Sequence, residues 1–257
     1  MKTTNRILGI TLAIFMIAII AIMIFVRTQL IQHIGHVEGS GEVRTERREI
    51  APFNRVSVAG NLTLHVMQDE NRQLEVQADD NLLEFVVTEV EDGKLIVSLD
   101  QPVRNNEQLD VYIRIPELEE LSVSRGAQAF AENPITGAYL SHTLQAGAKS
   151  TLNLQVDSLD IKARAGAIAR LAGRADIMNI YSTAGAIIYA GELLVENCEI
   201  DASAGSLNYL HVTGMLSGQA RYGALVHFEG NPGIEDYKSS HAVEFEGTND
   251  GHSDTHR

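Results

Sequence analysis

The chain has 257 residues, 44% of them hydrophobic and 21% charged, with 34 Asp and Glu against 20 Lys and Arg and a formal charge of −14. That balance disfavours nucleic acid and anionic lipid surfaces as partners, and the apolar share excludes a disordered chain. The one cysteine, Cys198, excludes an intramolecular disulfide, so the fold must rest on packing and backbone pairing.

The first predicted element is the run ILGITLAIFMIAIIAIMIFV, residues 7–26, which carries no charge. As a helix it spans roughly 30 Å, the thickness of a bilayer's hydrocarbon core. A cleaved signal peptide is the competing reading. Its apolar region is usually about 7–15 residues long and ends in a small-residue cleavage site, whereas Phe25, Val26 and Arg27 close this run. The sequence therefore predicts an uncleaved transmembrane anchor over 7–26. Lys2 and Arg6 before it leave residues 1–6 in the cytoplasm and place the bulk of the chain outside, periplasmic or extracellular.

Residues 27–50 mix Gly, Ser and opposite charges without a period and are expected to be a tether. From Phe53 the text alternates. RVSVAG, NLTLHVMQ, RQLEVQA, KLIVSLD and LDVYIRIP each place apolar residues at every second position, the signature of half-buried strands. No helix-length amphipathic segment follows the anchor. One all-β domain over 51–247 and a polar tail over 248–257 are predicted.

From Leu121 onward a repeat emerges. Gly126, Gly147, Gly166, Gly185, Gly205 and Gly223 are separated by 21, 19, 19, 20 and 18 residues, each in a cluster of small side chains. Short strands at a period near twenty predict a solenoid, a single-stranded type of parallel β-helix whose crossovers default to the right hand. Five residues before the glycines stand Leu121, Ile161, Ile180 and Ile200, with His142 and Gly218 departing; three before stand Val123, Leu144, Ala163, Ser182, Ala202 and Ala220. The glycines are expected at tight corners where stacked coils leave no room for a Cβ and the backbone takes positive φ.

Four residues after each glycine stand Phe130, Thr151, Arg170, Tyr189, Tyr209 and His227, which stacked coils would align into a ladder. Two readings stay open. The ladder is a ligand-binding strip whose aromatic faces suit sugar rings or another protein, or it is the like-on-like stacking that any repeat produces.

The order FNRVSVAGNLTLHVMQ, then LEVQADDNLLEFVVTEVEDGKLIVSL, then VYIRIPELEELSVSRGA and the Gly-Ala coils resembles the putative auto-transporter adhesin head GIN domain, formerly a domain of unknown function of bacterial envelope proteins. The resemblance covers about residues 51–229. It rests most on Pro116, Leu118 and Leu121 running into SVSRGA and on the spaced Gly-Ala turns. It implies an exported β-helical stack, and it brings no catalytic residues to transfer.

Chemistry is otherwise sparse. Asp79-Asp80, Glu89-Glu91-Asp92 and Glu119-Glu120 lie between strands and read as solvated turn carboxylates. The histidines form no HExxH motif, and no GxSxG elbow supports a nucleophilic serine. Cys198, in an alternating strand, reads as a small buried hydrophobe. The expected function is binding or adhesion, without catalytic residues, metal or cofactor, toward an envelope polysaccharide or protein. The alternatives are an enzyme on envelope glycans, whose mark would be carboxylates converging in one groove, and a membrane-anchored sensor or scaffold. Open solenoid ends leave self-association as a further route.

Overall fold

The computed structural model describes residues 36–239 and 245–247, together with Met16, Ile19, Ile20 and Met23. Those four are helical and exposed, and the rest of the anticipated anchor lies outside the described residues, as does the polar tail. Among the described residues no helix is long and apolar enough to cross a membrane.

The chain enters through β1 (Val37–Glu38) and β2 (Val43–Arg48). This corrects the reading of residues 27–50 as a tether. β2 pairs antiparallel with β5, and β1 pairs with β8, so the later half of that segment belongs to the folded body. Then come β3 (Arg55–Ala59), β4 (Thr63–Gln68), β5 (Gln73–Asp79), a 3-10 turn at Leu83–Phe85, β6 (Val86–Glu91), β7 (Lys94–Leu99), β8 (Val103–Arg104) and β9 (Leu109–Ile115). The regular part runs through β10 (Glu120–Ser124), β11 (Gln128–Ala131), β12 (Ile135–Gln145), β13 (Lys149–Arg164), β14 (Ile168–Thr183), β15 (Ile187–Ala202), β16 (Leu207–Ala220), β17 (Leu225–Glu229), β18 (Gly233–Ser239) and β19 (Phe245–Gly247).

Beyond the first two strands the expected β-solenoid is present, and from β10 on every pairing is parallel. Its N-terminal end departs from a pure parallel β-helix. β2–β5, β5–β9 and β6–β7 are antiparallel, and they close the stack where a coil would otherwise present bare edges. The outermost strand, β2, reads VRTERR. Its charges discourage edge-to-edge pairing. The Arg48 guanidinium also donates to the carbonyls of Leu83 and Val86 and to Thr88 Oγ1, covering backbone at the start of β6.

Each regular coil has three corners, read from where the inward period of two slips. In β14 the inward residues are Ala169 and Leu171, then Ala175, then Met178, Ile180 and Ser182. Like positions lie over like: Ile161, Ile180 and Ile200 form one inner column, and Leu159, Met178, Cys198 and Leu216 another. Each fully buried Leu or Ile is worth about 1.5–3 kcal/mol. Cys198 is buried, and that burial pushes its thiol up to about 12, so it acts as an inert packing group.

The Gly-Ala corners are where expected; of the two reasons for them, the positive φ holds and the crowding does not. At each, two successive residues are left-handed: φ is 54° at Arg125 and 81° at Gly126, 53° at Ala165 and 71° at Gly166, 51° at Ala184 and 71° at Gly185. A Cβ on any of the six repeat glycines would meet nothing within 4 Å. The corners need glycine for its dihedral angle, not for space. Stacking there runs through the backbone, as Gly147 N–H donates to Ala165 O and Gly166 N–H to Ala184 O.

Asp79 is a second correction. It is fully buried rather than a solvated turn carboxylate. Its Oδ2 accepts from Gly41 N–H at 3.0 Å and its Oδ1 from Glu107 and Gln108 N–H at 3.2 and 3.4 Å, tying the entering chain to the loop before β9. Removing a buried acceptor strands its donors at a cost of about 1–3 kcal/mol. Asp79→Ala is therefore expected to lower stability by about 2 kcal/mol, and limited trypsin digestion should then open the chain at Arg44 before the global unfolding transition.

Candidate functional site

Register brings all of the ladder residues together. Phe130 pairs with Thr151, Thr151 with Arg170, Arg170 with Tyr189, Tyr189 with Tyr209 and Tyr209 with His227. The ladder also extends past its sequence-predicted start. His65 on β4 pairs with Phe130, and Tyr112 on β9 pairs with His65. The His65 ring stacks on Tyr112 at 4.5 Å and 14° and on Phe130 at 5.8 Å and 25°, while its Nδ1 lies 2.6 Å from Glu132 Oε1. Burial, with Asp110 and Glu132 nearby, raises the Tyr112 phenol above its ordinary value.

Farther along, the Arg170 guanidinium lies 5.0 Å over the Tyr189 ring. Tyr189 stacks on Tyr209 at 5.3 Å and 4°, and Tyr209 on His227 at 5.0 Å and 12°. The rings therefore spend their faces on one another. What they turn outward is edges and hydroxyl groups, so sugar-face stacking is not open to them.

Beside this part of the ladder runs a groove of about 560 Å³, edged by Thr151, Arg170, Tyr189, Tyr209 and Glu192 over the apolar Leu152, Leu171 and Ala172. Two local features make it. Thr151 is a short side chain between Phe130 and Arg170, which opens the ladder. The register then slips by one residue between Arg170 and Ala172 against β15, and by three between Ala190 and Leu194 against β16, so Gly191 and Glu192 form a bulge that raises a wall. The sequence carried the trace of this bulge in its glycine spacing, which lengthens to 20 and then shortens to 18. Bulges commonly re-aim side chains beside sites.

Charge is divided between the sides of the solenoid. Over β13 to β17 the ladder side carries Lys149, Arg170, Glu192 and Glu229 with His211 and His227, and is formally neutral. The other sides carry Asp157, Asp160, Asp176, Glu196, Glu199 and Asp201 against Lys162, Arg164, Arg174 and Arg221, and are formally acidic. Three of these, Asp160, Glu199 and Asp201, edge a second groove of about 300 Å³ with Asn179 and Tyr181. Asp160 accepts from the Tyr139 hydroxyl at 2.8 Å and from Asn179 Nδ2 at 2.7 Å, and Asp201 is paired with Arg221 at 3.0 Å. Sequence reasoning missed this groove because Asp160 on β13 and Glu199 and Asp201 on β15 are two coils and about forty residues apart, joined only through Asn179 and Tyr181 of β14 between them. Among the described residues no group of three or more His, Cys, Asp or Glu is placed to hold a metal ion.

A family model described as putative auto-transporter adhesin, head GIN domain, matches residues 52–232. The chain belongs to this family. The same fold occurs in a putative adhesin of Bacteroides fragilis, with 19% identity over 82% of this chain and 99% of that one at a TM-score of 0.77. It also occurs in a putative lipid binding protein of Parabacteroides distasonis, with 16% identity, 84% and 100% coverage and a TM-score of 0.68. A putative adhesin of Parabacteroides merdae gives 21%, 83% and 99%, with a TM-score of 0.61. At these identities the likeness is one of fold. Among curated proteins none matches the chain. Head GIN domain membership makes this an adhesin-like β-solenoid, and the neighbours' names speak of adhesion and of lipid binding.

Proposed function

We infer that this head GIN domain protein is a cell-envelope binding protein of adhesion type. Its apolar N-terminal run anchors it in the membrane, and its exported solenoid offers the ladder side to an envelope polymer or protein without performing chemistry. The observation that supports this most is the groove along Thr151, Arg170, Tyr189 and Tyr209, a long, formally neutral, partly apolar channel with polar groups at its rim. Such a channel matches the mix of apolar floor and few polar groups common to binding sites.

The test is a binding screen of the full chain in detergent micelles against cell-wall glycans, lipopolysaccharide and envelope extracts, with turnover followed in the same wells. Replacing both Tyr189 and Tyr209 by serine is expected to weaken binding at least tenfold while lowering stability by about 1 kcal/mol, the worth of one aromatic pair. Unchanged binding with lowered stability would make the ladder purely structural. A second reading, an enzyme on envelope glycans, is favoured by the carboxylates Asp160, Glu199 and Asp201 in one groove. Release of glycan product in the screen would support it and sink the first.

A further inference from the structure

We propose that the ladder groove is a site for a carboxylate-bearing glycan, with Arg170 as the group that takes the carboxylate. This rests on the binding role inferred above and names its ligand class. Arg170 is exposed and makes no ion pair or hydrogen bond among the described residues, unlike Arg47, Arg48, Arg114, Arg174 and Arg221. Its guanidinium is instead laid over the Tyr189 ring at 5.0 Å, which orients the planar fork and leaves its edge donors for a ligand. A planar carboxylate matches that fork through two parallel hydrogen bonds.

The rest of the groove selects the body that carries the carboxylate. Thr151, Tyr189 and Tyr209 bring hydroxyl groups, and Glu192 brings an acceptor for ligand hydroxyls. Leu152, Leu171 and Ala172 supply an apolar floor for the C–H face of a sugar ring. Glu192 also disfavours a second negative charge in the groove, which turns the preference from phosphate monoesters to singly charged groups. The acidic remainder of the chain does not forbid an anionic ligand here. Over β13 to β17 the ladder side holds only Glu192 and Glu229, the other carboxylates there lie on the other sides of the coils, and at physiological salt their field decays over about 8 Å.

The experiment measures binding of the full chain in detergent micelles, at physiological salt, to polygalacturonate, to its methyl ester, to a neutral glucan and to poly-glutamate. Polygalacturonate should bind, its methyl ester should bind at least tenfold more weakly, and Arg170→Gln should abolish that difference. Arg174→Gln, a change to an exposed arginine on another side, should behave as the parent chain. Equal binding of the acid and the ester, or an Arg170→Gln variant with unchanged discrimination, would overturn the ligand class while leaving a glycan-binding role standing. Poly-glutamate bound as well as polygalacturonate would show a site for acidic peptide instead. No binding to any glycan, here and in the envelope screen, would overturn both readings.

Discussion

Gly218→Ala is expected to destabilise the solenoid by about 3 kcal/mol or more, while Gly166→Ala costs about 1 kcal/mol. The contrast follows from what a Cβ would meet. At Gly218, φ is +124° and the added carbon would lie 2.0 Å from the Ile200 carbonyl oxygen and 2.8 Å from the Ile200 nitrogen. That neighbour is backbone of the coil below, so it can yield only by parting the two coils. Gly218 sits where the pairing of β16 with β18 slips, between Ser217 and Gln219. Gly173 is in the same position, with φ +107° and a Cβ 2.1 Å from the Leu154 oxygen, and should behave alike. Gly166 has φ +71° with nothing within 4 Å, so alanine there meets only the left-handed penalty that Ala165 already bears beside it. Urea unfolding of the three single variants measures the difference directly. Equal losses at Gly166 and Gly218 would contradict the account.

Acid should weaken the protein through His142, which stands where neighbouring coils place Leu121 and Ile161. It is fully buried, and burial holds its imidazole well below the ordinary 6.5, at about 4, although the Leu121 carbonyl acts in the opposite direction. Nδ1 lies 2.9 Å from that carbonyl and must carry the proton, so Nε2, 2.8 Å from Ser150 Oγ, accepts from the hydroxyl. The neutral ring is thus fully satisfied. Because the folded pKa lies below the unfolded one, the unfolded chain binds the extra proton first. The contribution is complete above about pH 6.5, fades as pH falls toward 4, and is flat below. The window corresponds to a loss of up to about 3 kcal/mol. The double variant His142→Leu, Ser150→Ala should remove most of this slope, whereas His142→Leu alone strands the Ser150 hydroxyl and lowers stability at every pH. Chemical unfolding between pH 7 and 4 reads both. An unchanged slope in the double variant would place the acid sensitivity elsewhere.

The regular coils were legible because each repeats the same inward residues at a nearly fixed interval, so one chain served as its own alignment. Leu121, Ile161, Ile180 and Ile200 and the ladder from Phe130 to His227 were all found from offsets to the repeat glycines. In the N-terminal half β3, β4, β5, β7 and β9 were legible from alternation but their pairing was not, because spatial order there departs from chain order. β9 pairs with β4, and β10 then passes to the far side of that coil to pair with β3. No periodic rule could therefore place Tyr112 beside His65 and His65 beside Phe130. The charges of β2 hid a strand that owes its place to pairing with β5, not to apolar alternation. Asp79 looked like any turn acid because the three amides that hold it come from Gly41, Glu107 and Gln108, far away in sequence. The corner glycines were placed correctly and their positive φ expected, but the crowding also expected there does not exist. Crowding governs Gly173 and Gly218, the latter visible in the sequence only as a departure from the repeat.

The proposed binding surface is the ladder side, and exposed tyrosines on two sides of the solenoid allow it to be tested within one molecule. Tyr189 is 37% exposed beside the ladder groove, and Tyr139 and Tyr181, at 45% and 44%, stand by the carboxylate groove. Oxidative footprinting of the full chain with and without envelope glycan should show protection of Tyr189 and Tyr209 and no change at Tyr139 and Tyr181. Protection of Tyr139 and Tyr181 with Tyr189 unchanged would contradict it and move the functional surface to Asp160, Glu199 and Asp201.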